Sequence, residues 1–404
     1  MSTSLLYHGW GLQDYQHVRA LFDGGRITFR IAHKPGSLRC ASCGSFDVIN
    51  SGQQVRRFRS LPIGSKPVIF ELPIQRLHCK SCGLVRQARL GFADPRRTYT
   101  RAFERYALDL CRCLSILDVA RHLQVSWDMI KDIQKRHLRR KYARPRLKQL
   151  RRIAIDEISI GKGHRYLTVV LDLETGAVVF VGEGKSAASL RPFWKKLRCA
   201  GAKILAVATD MGKAYILAVR QNIPEAVHVF DRFHVIKLFN DHLATYRRRL
   251  QRTLPDVEQR RALKGTRWLL LKNRENLDGA RNEMKRLARA LRINRPLAMA
   301  YYLKEDLRRF WEQADKPQAT RFLDDWIGRA QASGIGMLKH FAAILQTYRD
   351  GLLGWYDCRI STAALEGTNT KIKLMQRKAY GFRDPEFFKL KIYALHDTNY
   401  ASAG

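Results

Sequence analysis

The chain has 404 residues, 46% of them hydrophobic and 27% charged, which is the composition of a globular protein with two or three domains. Lys and Arg number 74 against 36 Asp and Glu, and the formal net charge of +38 predicts a polyanionic partner, nucleic acid ahead of an anionic membrane or a merely soluble basic surface. No apolar run approaches the roughly 20 residues that span a bilayer and no signal peptide is evident, so we expect a cytoplasmic protein without membrane contact.

Two Cys-x-x-Cys motifs lie in the first 90 residues, among runs of β-strand character such as RITFRIA and KPVIFELPIQRLHC. This spacing is typical of a zinc ribbon, and it predicts a β-rich zinc-binding domain over 1–95 with one structural zinc ion rather than free thiols. His33 and His78 are alternative ligands. The predicted zinc ligands are Cys40, Cys43, Cys79 and Cys82. We expect ordinary buried thiols at Cys111, Cys113, Cys199 and Cys358.

The segment SILDVARHLQVSWDMIKDIQKRHL has the period of two short amphipathic helices with a break at Gln124. Ser115 and Ser126 stand where helix N-caps are expected. The pattern predicts a helix-turn-helix, with a plain helical hairpin as the alternative. In a helix-turn-helix, the side chains nearest the DNA groove would be Ser126, Trp127, Asp128 and Lys131.

Residues 135–152 carry ten Lys or Arg and no acid. A charge run of this kind is usually a solvated face or a linker, but next to a helix-turn-helix it favours contact with phosphates, with Arg139 and Arg140 as DNA ligands. Pro145 marks the boundary, so we assign 96–150 to a DNA-binding domain with a basic linker.

The next part of the chain alternates in the manner of an α/β fold. From about 235 to 350 the sequence is helical and basic, and a helix returns within 360–397. The predicted strands are 152–158, 165–173, 177–182, 203–208 and 226–230, with helices near 187–199 and 213–221.

Acidic residues follow two of the predicted strands. Asp156 follows the apolar run of the first strand, and Asp210 ends the run AKILAVATD. We expect both carboxylates at one edge of the sheet, where a third acid, Glu366, would complete a site for two Mg²⁺ ions. Asn369 and Lys373 share a helix face with Glu366. Glu157 should point to the opposite side of its strand from Asp156.

The segments IAIDEISIGKGHRYLTVVLDLETG, ATDMGKAY, VFDRFHVIK and LEGTNTKIKLMQRKAYGFRD resemble the ISL-three family of bacterial insertion-sequence transposases. The resemblance spans about 38–395 and implies a ribonuclease H-like catalytic core of the DDE type, preceded by a zinc ribbon and a helix-turn-helix. It implies that the catalytic acids are Asp156, Asp210 and Glu366. The core would consist of 151–235 and 356–404, with a helical insertion over 236–355.

Several further residues lie near this predicted site. Asp231 and His234 follow the last strand, where either would bind metal or DNA, although capping of the next helix is the simpler role for Asp231. Trp268 would stack on an unpaired base or, as the apolar residues after it favour, pack in the core. Further predicted DNA ligands on the Glu366 helix are Asn369, Lys373 and Arg377.

We therefore expect a transposase that binds terminal inverted repeats and catalyses Mg²⁺-dependent strand cleavage and transfer, as a homodimer on the bacterial nucleoid. A DNA-binding regulator with a silenced core and a nuclease that cuts without joining are the rival functions. An RNA-binding protein is disfavoured because no aromatic single-strand platform is evident.

Overall fold

The computed structural model describes residues 5–142, 145, 147–161 and 163–397. They form two compact units. The first contains the described residues up to Tyr142 together with 378–390 and 397, and the second contains those from Pro145 to Arg377 together with 391–396. The sequence had placed 356–404 in one domain; the chain instead contributes 378–390 to the first unit, and the finer five-domain division stays a prediction.

The first unit is built on a five-stranded sheet with the order β1-β2-β4-β3 and β5 beside β4. A long antiparallel hairpin, β3–β4, carries the predicted run KPVIFELPIQRLHC and pairs Val48 with Cys79. That pairing brings the second Cys motif back to the first, as expected. The elements are α1 (Leu5–Trp10), β1 (Tyr15–Asp23), β2 (Arg26–His33), β3 (Val48–Ile63), β4 (Lys66–Cys79) and β5 (Val85–Gln87).

Three helices follow the sheet: α2 (Arg101–Leu110), α3 (Ile116–His122) and α4 (Trp127–Tyr142). The Ser115 and Ser126 hydroxyls accept hydrogen bonds from the first turns of α3 and α4, at 3.2 Å each. Gln124 takes φ of +51° in the turn between these helices. The predicted caps and the predicted break are therefore confirmed. Arg59 of β3 donates to the Leu123 carbonyl at 2.8 Å and so ties the sheet to this turn.

The second unit is built on a sheet of order β10-β9-β6-β7-β8, in which β6, β7 and β8 are antiparallel neighbours while β9 and β10 run parallel to β6. Its strands match the predicted ones within a few residues. The first is longer than expected because its pairing with β7 continues to Gly161. The elements are β6 (Arg152–Gly161), β7 (Arg165–Asp172), β8 (Val178–Glu183), α5 (Arg191–Ala200), β9 (Ala206–Thr209), α6 (Lys213–Asn222) and β10 (Val227–Phe230).

The predicted helical insertion is also present, with its own large apolar core. Its last helix, α14, packs closely on β10. The approach requires glycine at 351, since a Cβ there would lie 2.2 Å from the Phe230 ring. No helix among the described residues is long and apolar enough to cross a membrane. The helices of the insertion are α7 (Arg232–Thr253), α8 (Val257–Leu263), α9 (Arg267–Leu271), α10 (Glu283–Ile293), α11 (Arg295–Arg308), α12 (Lys316–Ala332), α13 (Gly336–Thr347) and α14 (Arg349–Asp357). Two further helices follow it, α15 (Ala363–Lys378) and α16 (Pro385–Tyr393).

Candidate active site

Asp156 and Asp210 occupy equivalent positions on neighbouring parallel strands. The β6–β9 register pairs Ile155 with Thr209, and each aspartate is the next residue. Strand β9 ends at Thr209, whereas β6 continues past Asp156. The two carboxylates therefore meet at the carboxyl edge of β9, where open α/β sheets commonly bind ligands.

Asp156 is 9% exposed, and each of its two carboxylate oxygens accepts a hydrogen bond. Oδ1 accepts the Glu157 backbone N–H at 2.8 Å, and Oδ2 accepts the Asn369 amide at 2.8 Å. Burial raises the pKa of Asp156 to about 6; the Glu157 N–H and His234 act against the rise, and the acids Glu157 and Asp210 add to it. This carboxylate is therefore poised to gain from a bound cation.

Asp210 is oriented by the start of helix α6. Its Oδ1 accepts the Gly212 backbone N–H at 2.9 Å. A Cβ at Gly212 would lie 2.8 Å from that oxygen, so glycine leaves room for the carboxylate. The sequence ATDMG therefore places one acid oxygen in the turn and leaves the other oxygen available to a ligand.

Asp231 connects the start of α7 to the segment before α15. Its Oδ1 accepts the Phe233 N–H at 2.8 Å, which confirms the predicted helix cap, and its Oδ2 accepts the Thr362 N–H at 2.7 Å. This pair of bonds joins residues 131 positions apart and fixes where α15 begins. Glu366 lies on the first turn of that helix.

Glu366 lies beside Asp231 and His234. The His234 Nε2 and a Glu366 oxygen are 3.8 Å apart, and one ligand atom from each of the three residues lies within 4.8 Å of the others. His234 also acts to lower the pKa of Asp156 electrostatically. The sequence named Asp231 and His234 as auxiliary residues but did not predict that they form one cluster with Glu366.

The three predicted acids do not themselves form such a tight group among the described residues. Two buried polar atoms at the site, the His234 Nε2 and the Asn369 Oδ1, have no hydrogen-bond partner. Unpaired buried atoms beside carboxylates fit a site that takes hydrated divalent cations. The assignment of Asp156, Asp210 and Glu366 stays a prediction.

Glu157 is half-buried, and its predicted orientation on the opposite side of β6 from Asp156 stays a prediction. Burial raises its pKa, the nearby Asp210 charge adds to the rise, and a hydrogen bond with Tyr215 opposes it. The Tyr215 hydroxyl also lies 3.3 Å from the Thr168 hydroxyl. Glu157 is therefore linked to α6 through Tyr215 and lies near Asp210.

Helix α15 presents a basic face beside the acids. Gln376 donates to the Ile160 carbonyl of β6 at 3.2 Å, which holds the helix along that strand. Of the three residues predicted on this helix to bind DNA, Lys373 and Arg377 are exposed, whereas Asn369 is turned inward to Asp156. Asn369 is thus a hydrogen-bond donor to Asp156 in this structure.

The prediction that Trp268 packs in the core is wrong. Its side chain is 64% exposed, and the Arg267 guanidinium lies 4.9 Å from its ring centroid. The apolar residues that follow it in α9 do face the core, so the apolar run misled the assignment of the tryptophan itself. The buried Lys304 holds this helix by donating to the Leu270 carbonyl at 2.7 Å.

The four predicted zinc ligands converge. Two of the sulfur–sulfur distances are 3.7 Å for Cys40–Cys82 and 3.5 Å for Cys43–Cys79. Zn–S bonds of about 2.3 Å in a tetrahedron require sulfurs about 3.8 Å apart, so the cluster fits one zinc ion. Backbone N–H groups of Cys43 and Ser42 lower the pKa of Cys40 to about 6, which favours the thiolate that zinc binds.

Two other predictions on cysteine and histidine have clear outcomes. Neither His33 nor His78 belongs to the four-sulfur cluster. Cys111 is buried as expected and Cys358 is partly buried, but the prediction is wrong for Cys113 and Cys199, which are exposed.

The predicted DNA surface of α4 divides into two parts. Ser126, Trp127 and Arg140 are exposed. Lys131 instead pairs with Asp384 at 3.2 Å, and Arg139 pairs with Glu386 at 2.7 Å. These acids come from the C-terminal segment that joins the first unit, and the sequence alone gave no sign of this pairing.

Comparisons with known proteins agree with the resemblance. A family model described as Transposase, of the ISL3 type, matches residues 153–392. The helix-turn-helix domain of transposase family ISL3 matches 88–138, and the zinc-finger of transposase IS204/IS1001/IS1096/IS1165 matches 37–82. The matched ranges contain the candidate acids, helix α3 and most of α4, and the four clustered cysteines.

The chain is 34% identical over 396 residues to the transposase for insertion sequence element IS1001 of Bordetella parapertussis, with 97% of each chain covered. It is 31% identical to the transposase for insertion sequence element IS1557 of Mycobacterium tuberculosis (strain CDC 1551 / Oshkosh), covering 90% of this chain and 87% of that one. A Drosophila P element transposase strand transfer complex matches at a TM-score of 0.35 and 13% identity, over 62% of this chain and 77% of that chain, too slight a likeness to support an argument. The chain therefore belongs to the ISL3 (ISL-three) family of transposases.

Proposed function

We propose that this transposase cuts and joins DNA strands by divalent-metal chemistry at the edge of the second sheet. The observation that carries the proposal is the placement of Asp156 and Asp210 at equivalent positions on neighbouring parallel strands. Asp156 is buried and hydrogen-bonded to Asn369 of α15, the helix that also carries Glu366 beside His234. Asp156, Asp210 and Glu366 would hold two Mg²⁺ ions, and Asp231 and His234 would complete or orient that set. Bound Mg²⁺ would supply charge stabilisation at both the attacking and the leaving oxygen.

The chain's own residues would orient this reaction. Asn369 would hold the Asp156 carboxylate in one rotamer, and Asp231 would fix the start of α15 so that Glu366 faces the site. Lys373 and Arg377 are exposed on α15 and would contact the phosphates on either side of the scissile bond.

The first cut would add water to a phosphodiester and release a 3′-hydroxyl at the element end. In the second step that hydroxyl would attack a target phosphodiester and expel another 3′-oxygen, so that one P–O bond forms as one breaks. No covalent protein–DNA bond is needed. Trp268, exposed on α9, would stack on a base left unpaired near the cut end.

The first unit would recognise the DNA. Its zinc ribbon and helix-turn-helix would bind the terminal inverted repeats through Ser126 and Trp127 at the start of α4, with Arg140 on a phosphate. Because two ends must be joined to one target, a homodimer on nucleoid DNA in the bacterial cytoplasm is the expected assembly.

The test is a cleavage and joining assay on DNA that flanks the chain's own gene, with Mg²⁺ or with chelator. Asp156→Asn should lower cleavage by at least about 10³-fold while end binding stays within about twofold, since an amide cannot supply the charge that the ion needs. Glu225→Gln is the matched control, because this exposed acid precedes β10 at the opposite edge of the sheet and should leave both activities unchanged.

The outcomes separate the rival functions. Full activity of Asp156→Asn would remove this acid from the chemistry. Binding of ends by the wild type without any Mg²⁺-dependent nicking would favour a DNA-binding regulator. Cleavage without joining of pre-cut ends would favour a nuclease.

A further inference from the structure

Tyr380 lies in the turn between α15 and α16, and its side chain is 100% exposed. Its backbone φ is +51°, in the left-handed region that disfavours residues with a large side chain, and Gly381 follows with φ of +95°. The ring gains nothing from burial and the backbone would suit glycine better. Folding stability therefore does not explain a tyrosine at this position.

The turn is anchored on its C-terminal side. The Phe382 ring stacks on Phe388 with centroids 4.7 Å apart and planes at 22°. Asp384 accepts the Phe387 backbone N–H at 3.0 Å and so begins α16. These contacts hold Tyr380 in place although its own side chain touches nothing.

The same anchor reaches the helix-turn-helix. Asp384 pairs with Lys131 at 3.2 Å and with Lys135 at 2.7 Å, and Glu386 pairs with Lys135 at 2.9 Å. Burial acts to raise the pKa of Asp384, but its bonds to Lys135, Phe387 and Lys131 outweigh it and hold that pKa well below its usual range. The turn that carries Tyr380 is thus fixed to α4, within one compact unit.

The surroundings of Tyr380 are basic. The sequence KIKLMQRKAYGFR, residues 371–383, contains five Lys or Arg and no acid, and residues 377–381 are all exposed. A protein partner would need a wider apolar surface around the ring. A lone aromatic ring among cations is the arrangement that binds nucleic acid, with phosphates on the cations and a base on the ring.

We propose that Tyr380 stacks on an unpaired base of the DNA bound by the first unit, an inference that rests on the proposed DNA binding. In an intact duplex, neighbouring bases cover both faces of each base, so only an unpaired or terminal base offers a free face. Strand cleavage at an element end creates such bases. Tyr380 would therefore distinguish opened ends from intact duplex.

The experiment compares two labelled duplexes of the DNA flanking the chain's own gene, one fully paired and one with three unpaired nucleotides at the element end. Binding is measured by fluorescence anisotropy for the full chain and its variants. Tyr380→Ala and Tyr380→Gly should weaken binding of the unpaired-end probe by about 5- to 100-fold and change the paired probe by less than about twofold. Tyr380→Phe keeps the ring and should stay within about threefold on both.

Thermal unfolding separates stacking from a structural role. Tyr380→Gly should unfold at or above the wild-type midpoint, because glycine relieves the positive φ, so stability and binding should move in opposite directions. Phe22→Ala removes another exposed aromatic of the same unit and is the matched control, which should bind both probes as the wild type does.

Three results would overturn the inference: unchanged affinity of the Tyr380 variants for the unpaired-end probe, an equal loss on both probes, or a drop in the unfolding midpoint of Tyr380→Gly. Failure of the wild type to bind either probe would instead contradict the proposed function. The wild-type measurement therefore separates the two.

Discussion

At the scale of single residues, burial makes the charged form of the Asp156 carboxylate unfavourable. It is buried, it lies near Asp210 and Glu157, and its pKa is raised to about 6. The hydrogen bonds from Asn369 and from the Glu157 backbone are too few to offset this burial. Under the proposed function a bound cation would offset this cost, which lowers the stability of the metal-free protein.

A pH-dependent difference in stability follows for Asp156→Asn. A carboxyl whose pKa is raised from 3.8 to about 6 on folding binds its proton more tightly in the folded state. Its contribution to stability is therefore full below about pH 4 and is lost as the pH rises through about 6. In chelator at pH 7.5, Asp156→Asn should be more stable than wild type by roughly 2–3 kcal/mol, because two pKa units correspond to about 3 kcal/mol.

Urea unfolding at pH 4.5 and 7.5 measures this difference. The gain should be small at the lower pH, and the control Glu225→Gln should have none at either pH. Added Mg²⁺ should stabilise the wild type more than the variant, since the ion binds the folded state. A gain that is equal at both pH values would indicate improved packing rather than relief of a buried charge.

The sequence was sufficient for some residues and not for others. The positions of Asp156 and Asp210 on neighbouring strands were predictable because each follows an apolar run. The convergence of the four cysteines was predictable because their spacing is typical of zinc ligands. Trp268 was misplaced because an apolar run does not reveal which of its members faces outward. Tyr380 carries no periodic signal, and its significance appears only with its backbone conformation and exposure.

At the scale of elements, α4 serves two surfaces. Its N-terminal turn is exposed at Trp127, while Lys131, Lys135 and Arg139 form a row along the helix that pairs with α16. Lys135 and Asp384 are 249 residues apart, so no local pattern could have predicted their pairing. The basic run was correctly identified, but part of it neutralises the chain's own acids.

We expect the double variant Asp384→Asn/Glu386→Gln to bind non-specific DNA more tightly at low salt. Loss of the two acids frees three cations of α4 for phosphates. Each additional phosphate contact steepens the plot of log affinity against log salt concentration by about 0.9. The slope should therefore become more negative by about 2–3 in anisotropy titrations from 50 to 300 mM salt, a range that spans about physiological ionic strength.

The control is Asp324→Asn/Asp325→Asn, which changes the net charge by the same amount in the helical insertion, where these acids pair with Arg349 and Arg329. An equal change in slope for both double variants would mean that net charge alone is responsible. A slope unchanged from wild type would mean that the freed cations do not reach DNA.

At the scale of the whole molecule, the two compact units are not the two halves of the chain. The sequence predicted the strands of both sheets and the helical insertion, because each depends on local periodicity or motif spacing. It did not predict that 378–390 joins the first unit, since that depends on burial of α16. Phe388 is 4% exposed within this segment, and Ile372 is fully buried on α15 in the second unit.

This division into two units predicts which helices and strands exchange their amide hydrogens faster when a buried side chain is removed. Phe388→Ala should cost about 3–5 kcal/mol and accelerate amide hydrogen exchange in α4, while exchange in β6 and β9 stays as in the wild type. Ile372→Ala is the matched control, and it should accelerate exchange in β6 and leave α4 unchanged. If either variant accelerated exchange in both places to the same extent, the units would unfold as one, and the short C-terminal segment would not belong energetically to the DNA-binding unit that it contacts.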